Sequence, residues 1–228
     1  MKLLELFAGS RSVSRVAEKM DFQVWSCDIN DFQGINDVSD ILKFDYDKVP
    51  FIPDVIWASP PCQSWSIACS ASGGNIYWET IKDKRNKTVG IKPREDFSGS
   101  SSCKIWKTPE RIAEVRDMYV SLLEKTFEII DHYKPKVWFI ENPVGYMRFY
   151  VKDRVRYANV ASYCQYGFPY RKNTNVFSNV ELHLKKCNCN TTHKKISDAH
   201  KTYYERSKIP DALCLSIIEQ SIDIIKGI

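Results

Sequence analysis

The sequence predicts an α/β protein built on a mixed, mainly parallel sheet with helices on both faces. Three observations carry this reading. Short apolar runs of strand length occur at Lys2–Phe7, Gln23–Cys27, Asp54–Ala58 and Val137–Ile140. Segments of helical periodicity lie between them, at Ser12–Met20 and from Pro109 to a Lys134-Pro135 stop. The clearest strand, Val137–Ile140, is apolar throughout rather than alternating, as strands covered on both faces are.

Taken in order, Lys2–Phe7 ends in Ala8-Gly9-Ser10, and Ser12–Met20 then sets Val13, Val16, Ala17 and Met20 on one helical face. Strand, small-residue turn and helix open a nucleotide-type fold. Gln23–Cys27 closes on Asp28, and a polar stretch leads to Asp40 and a third short element near Ile41–Phe44. Asp54–Ala58 is the fourth strand. From Gln63 to about Lys107 periodicity is lost among Gly73-Gly74, the charged Lys82–Arg85 run and Ser98–Ser102, which predicts a long lid, a binding loop or disorder. Thr108 caps a helix with Pro at its first position, and Ile112, Val115, Met118, Leu122, Leu123, Phe127, Ile129 and Ile130 mark its apolar side. Tyr157–Tyr163 and Asn175–Val180 read as further strands, Glu181–Lys208 as irregular and basic, and Pro210–Lys226 as a closing helix. The expected organisation is a catalytic body over 1–178, a basic segment over 179–208 and a closing helix over 209–228 packed on the body.

A chain of 228 residues with 43% hydrophobic content can bury one full core. No apolar run approaches the roughly 18 residues that span a bilayer, and no signal-peptide pattern develops at the amino terminus. Eight cysteines in such a chain read as reduced thiols. The expectation is a monomeric protein of the cytoplasm, or of a host's cytoplasm if the gene is viral. Net charge is +5, but Arg148–Lys208 carries thirteen Lys/Arg against four Asp/Glu, so the rest of the chain is slightly acidic. One basic face on an acidic body suits contact with phosphates, although a solvated surface has the same composition.

The chemistry collects at three strand ends. Asp54–Ala58 runs into Ser59-Pro60-Pro61-Cys62-Gln63-Ser64, where two prolines fix φ near about −65° and remove two N–H donors, so the chain must leave the sheet and present Cys62 in a defined direction. A buried structural thiol is the plain alternative. In Phe7-Ala8-Gly9-Ser10 the small residues let a ligand approach the backbone. Asp28, roughly twenty residues on, is a carboxylate of the kind that takes ribose hydroxyls. Asp40 could accept from an adenine amino group or cap a helix. Glu141, after four apolar residues, stands beside Cys62 as a proton donor near neutral pH, or else as a surface ion-pair partner.

Phe7-Ala8-Gly9-Ser10, Pro60-Pro61-Cys62-Gln63-Ser64 and Glu141-Asn142, in this order and at these strand positions, resemble the motifs of the cytosine-5 DNA methyltransferases. Tyr166–Lys172 and the helix from Ile209-Pro210 resemble that family's later motifs more loosely. The resemblance covers nearly the whole chain and is nearest to compact phage-type members. It implies a Rossmann-like class I methyltransferase fold with a reduced target-recognition segment, acting on double-stranded DNA with S-adenosylmethionine. It places the cofactor on Phe7, Ala8, Gly9, Ser10, Asp28, Ile29, Asp40, Ile41 and Pro60. It makes Cys62 the nucleophile toward cytosine C6, Glu141 the group that holds and protonates N3, Asn142 a geometric support and Arg171 a contact to the target base. Arg11 stands where a second glycine is common, Pro143 where valine is usual, and the basic block is reduced to Tyr170-Arg171-Lys172. RNA or a modified phage base as substrate, or an inactive binding relative, remain alternative readings.

Cys187-Asn188-Cys189, with His193 and His200, offers soft ligands of the zinc type. Cys-x-Cys is not the usual knuckle spacing, histidines beside lysines are commonly just solvated, and no metal is assigned here. Trp65, Trp78 and Trp106 flank the long loop, as core residues or as platforms for a base.

Overall fold

A computed structural model describes residues 1–67, 70–71, 74–95, 108–196 and 202–228. The main sheet contains β1 (Lys2–Leu6), β2 (Gln23–Asp28), β3 (Asp37–Val38), β4 (Val55–Ala58), β9 (Val137–Pro143), β10 (Tyr157–Ser162) and β11 (Asn173–Ser178), in the order β10-β11-β9-β4-β1-β2-β3. β9, β4, β1, β2 and β3 are mutually parallel, and β11 runs antiparallel to both β9 and β10. The chain leaves β1 toward β2 on one side and returns to β4 on the other. The crevice beyond the carboxyl ends of β1 and β4 is therefore the topological switch point, where open α/β sheets bind ligands.

Strand alternation divides the core into two layers. In register, Leu4, Ile56 and Trp138 face α2 (Pro109–Tyr133), with its Ile112, Leu123, Phe127 and Ile130. The intervening Leu3, Val55 and Val137 face the other way, toward α1 (Ser12–Glu18) and α5 (Asp211–Lys226). Each such aliphatic side chain, fully removed from water, contributes about 1.5–3 kcal/mol. α2 begins as its sequence dictates: Thr108 accepts from Arg111 N, Pro109 occupies the first turn, and Lys134, at φ 47°, turns the chain out before Pro135. The short α3 (Met147–Tyr150) and α4 (Tyr203–Ser207) lie in connections.

Three expectations change in detail. The element near Ile41 is a 3-10 turn, Ile41–Lys43, and the third strand is the earlier Asp37–Val38. β9 continues three residues past Ile140, because β11 pairs with it through Val176↔Glu141 and Asn175↔Asn142. Glu141 thus sits within a paired strand rather than just beyond one. Much of the expected loop is a β-hairpin, β7 (Trp78–Lys82) with β8 (Thr88–Pro93), preceded by the short pair β5 (Ser70–Ala71) and β6 (Gly74–Asn75). It docks by a stack of Trp78 on Trp65, ring centroids 5.0 Å apart and 17° from parallel. Both rings are buried, so they pack the core; Trp106 and Ser98–Ser102 lie outside the described residues. Among the described residues, no helix is long and apolar enough to cross a membrane.

Candidate active site

Cys62 lies on a turn pinned from both sides. Ser59 N bonds Leu6 O, carrying the chain over the end of β1, and the Cys62 carbonyl accepts from Trp65 N (3.1 Å) and Ser66 N (2.8 Å). Behind the turn, buried Asn142 donates from Nδ2 to Pro60 O at 2.9 Å. Pro60 and Pro61 offer no N–H of their own, so this bond to a carbonyl is the means by which β9 holds the segment. Gly145 completes the clamp: Ser66 bridges to it, and a Cβ there would lie 2.2 Å from Trp65 O.

Glu141 enters the same space from β9. It is 5% exposed, and its Oε1 meets Tyr163 OH (3.1 Å), Thr174 Oγ1 and Lys172 Nζ (3.8 Å). Among the described residues these contacts all fall on Oε1. Lys172 and Thr174 are two apart as the chain enters β11, hence on one face, and both reach Glu141. Arg171, of opposite parity, is exposed and stands near Cys187 instead, outside the cavity. Burial pushes the Cys62 thiol above its ordinary range; the Lys172 charge opposes this and the Glu141 charge adds to it. The resting thiol is therefore protonated near neutral pH, with one cation placed to favour the thiolate.

Cys62 and Glu141 open into a cavity of about 610 Å³ that extends to the ends of β1 and β2. Phe7, Ala8, Gly9, Ser10, Asp28, Ile29, Asp40, Ile41 and Pro60 all line it, whereas Asn142 acts from behind. The turn after β1 takes left-handed φ at Phe7 (55°), Gly9 (47°) and Arg11 (52°). Arg11 thus adopts the conformation a glycine would supply, and its guanidinium is held by Glu18. A Cβ on Gly9 would meet nothing nearer than Ser207 Oγ at 3.9 Å, so its missing side chain leaves open space. Asp28 accepts from Gly9 N (2.9 Å) and Asn30 N (2.8 Å), stitching the two strand ends together. Asp40 accepts from Leu42 N and starts the 3-10 turn while lining the cavity.

No motif along the chain marks Glu5, Tyr163, Lys172 or Thr174 as a site residue. Glu5 points from β1 into the layer under α1, where its carboxylate takes Ser14 N, Ser14 Oγ and Val13 N. Burial pushes it up to about 7 against those hydrogen bonds. An acidic residue in mid-strand, Leu4-Glu5-Leu6, was the available signal. Lys172 was legible only as a neighbour of Arg171, and choosing between them needed the register of β11.

No protein-family model matches the chain. A viral protein, "Probable DNA (cytosine-5)-methyltransferase" of Frog virus 3 (isolate Goorha), is 29% identical over 185 residues, which cover 79% of this chain and 72% of that one. Through this viral protein the chain is similar in sequence to the cytosine-5 DNA methyltransferases. Among solved structures, a prophage-encoded chain from Escherichia coli aligns at 14% identity and TM-score 0.48, covering 78% of this chain and 46% of that one. A methyltransferase of Entamoeba histolytica aligns at 15% identity and TM-score 0.47, covering 87% and 59%. The chain thus spans about half the length of the solved structures it matches, and its α/β architecture is given by its own strand order.

Proposed function

We propose that this chain methylates C5 of cytosine in DNA through a covalent Cys62 adduct. The observation that carries the reading is that the Cys62 thiol and the Glu141 carboxylate share one cavity with the turn after β1.

The cavity suits S-adenosylmethionine. The open space at Gly9 and the backbone of Phe7–Ser10 accept an extended polar ligand, Ile29, Ile41 and Pro60 supply apolar walls, and Asp28 and Asp40 supply acceptors for hydroxyl and amino groups. Its volume falls within the roughly 300–1,000 Å³ usual for small-molecule sites. When bound, that cofactor supplies a methyl group on a positively charged sulfur.

Cytosine C5 is a poor nucleophile, and the remedy lies in the chain's own residues. The thiol proton passes to the Glu141 carboxylate in the same cavity, and the Cys62 thiolate adds to C6, breaking the C5–C6 π bond and moving its electron pair through C5 toward N3. Lys172 favours that thiolate, and Glu141 holds N3, donating a proton to it as charge accumulates. Tyr163 and Thr174 keep Oε1 of Glu141 engaged, which leaves the other oxygen for the base. After methylation, a base takes the C5 proton, the C–H electron pair re-forms the C5–C6 double bond, the C6–S bond breaks with its pair returning to sulfur, and N3 gives its proton back to Glu141. A base stacked in duplex DNA cannot reach a thiol inside such a cavity, so the nucleotide must swing out of the helix. The basic stretch from Arg148 to Lys208 is the face for phosphates.

Transfer of a tritiated methyl group to duplex DNA, single-stranded DNA and RNA tests this reading. Incorporation at cytosine C5 of duplex DNA, lost in Cys62→Ser, is expected. Preferential labelling of RNA would replace the substrate, and full activity in Cys62→Ser would remove the mechanism.

A further inference from the structure

A second cluster of reactive side chains lies outside the cavity. Cys164, in the 3-10 turn Tyr163–Tyr166 after β10, meets Cys187, Cys189 and His193 of the basic segment, and their four ligand atoms all lie within 4.8 Å of one another. Cys187 Sγ is 3.7 Å from His193 Nε2. Bond lengths of about 2.3 Å to sulfur and 2.0–2.1 Å to nitrogen around a tetrahedral ion put paired ligand atoms roughly 3.6–3.8 Å apart. The cluster thus needs only small side-chain adjustments to close on an ion.

We propose that Cys164, Cys187, Cys189 and His193 form a structural zinc site that fastens the basic segment to the turn bearing Tyr163. Three thiolates and an imidazole are a closed ligand set for Zn²⁺, with no position left for water. His193 is the histidine that joins; His200 lies outside the described residues. The missing partner in the sequence was Cys164, 23 residues before the Cys-x-Cys pair and next to the tyrosine that holds Glu141.

The surrounding backbone holds the four residues in place. Cys187 N donates to Ser162 Oγ (2.9 Å), Ser162 N to Lys185 O (3.0 Å), Lys185 N to Tyr166 OH (2.8 Å) and Lys194 N to Pro169 O (3.0 Å). Gln165 Nε2 lies 3.1 Å from Cys189 Sγ, a donor to sulfur of the kind that supports a bound thiolate. Three thiolates on one divalent ion leave a net negative charge, and Arg171, whose charge bears on Cys187, with Lys185, Lys186, Lys194 and Lys195 nearby in sequence, offsets it. A segment with few apolar residues gains a fixed shape from such a crosslink, as small recognition modules do.

The test reads metal rather than methyl transfer, so it stands or falls apart from the proposed activity. Full-length protein purified under reducing conditions should carry about one zinc per chain, and Co²⁺ exchanged into it should give the absorption of a tetrahedral thiolate complex. Cys187→Ser and Cys164→Ser should weaken zinc binding by about tenfold or more. His193→Cys should keep the metal with a shifted cobalt spectrum, which guards against loss through misfolding. Cys62→Ser should keep full zinc content. Absence of zinc after reloading with Zn²⁺, a disulfide among these cysteines in protein kept reduced, or zinc content unchanged in both serine variants would overturn the site.

Discussion

The side-chain amide of Asn142 donates to the carbonyl of Pro60 at 2.9 Å, so β9 holds the turn that carries the Cys62 thiol. Neither residue needs to touch a substrate for this bond to matter. It fixes the direction in which the thiol leaves the sheet, while the preceding residue, Glu141, faces the cavity. Asn142→Ala strands a buried carbonyl, which costs about 1–3 kcal/mol in stability. Asn142 acts as a positioning residue, so kcat should fall by roughly 10²-fold through misplacement of the thiol. Cofactor Kd should stay near the wild-type value. Equal losses in kcat and cofactor affinity would mean a general collapse of the site instead.

Lys172 should tune the reactivity of Cys62. Removing its charge in Lys172→Met takes away the influence that opposes burial, so the thiol should ionise at higher pH than in the wild type. Alkylation of the Cys62 peptide by iodoacetamide, followed by mass spectrometry across pH, should show its half-point move upward. An unmoved half-point would show that Lys172 does not act on the thiol.

Glu5 sets a pH dependence of stability with a definite sign. Its folded pKa, pushed up to about 7, exceeds the unfolded value near 4.5, so the folded state binds the extra proton between those limits. Its contribution is fully present below about pH 4.5, is lost as pH rises toward 7, and changes little beyond. A shift of that size corresponds to a difference on the order of 3 kcal/mol. Urea denaturation of wild type and Glu5→Gln at pH 5 and pH 8 should show a smaller fall with pH in the variant; parallel falls would contradict the assignment.

Gly145 should tolerate no side chain. Because a Cβ would meet Trp65 O at 2.2 Å, and that oxygen also accepts from Tyr146 N at 2.7 Å, the backbone after Cys62 must shift. Gly145→Ala should lose about 1–3 kcal/mol in thermal or chemical denaturation. A variant as stable as wild type would show that the clamp yields freely.

Much of this architecture is legible in the residues because local chemistry decides it. Thr108-Pro109 and Lys134-Pro135 bound α2 whatever surrounds it, and Pro60-Pro61 must end β4. The apolar strands, and the turn after β1 that Asp28 holds, follow in the same way. What depends on a distant partner was hidden. β9 reaches Pro143 only because β11 pairs with it, and the β7–β8 hairpin carries its turn in a charged stretch and stacks its Trp78 on the distant Trp65. The choice of Lys172 over Arg171 as the cation facing the cavity, and the arrival of Cys164 beside Cys187, are facts of register and tertiary approach. Spacing along the chain contains neither.

The most direct test is a covalent trap. Duplex DNA carrying 5-fluorocytosine has no C5 proton to lose, so incubation with the protein and S-adenosylmethionine should stop the reaction after methyl transfer, with the base still bonded to sulfur. The account predicts a denaturation-resistant protein–DNA complex whose crosslinked peptide contains Cys62, absent with Cys62→Ser. Release of unmodified protein under conditions where ordinary duplex DNA is methylated, or a crosslink at any other residue, would contradict it.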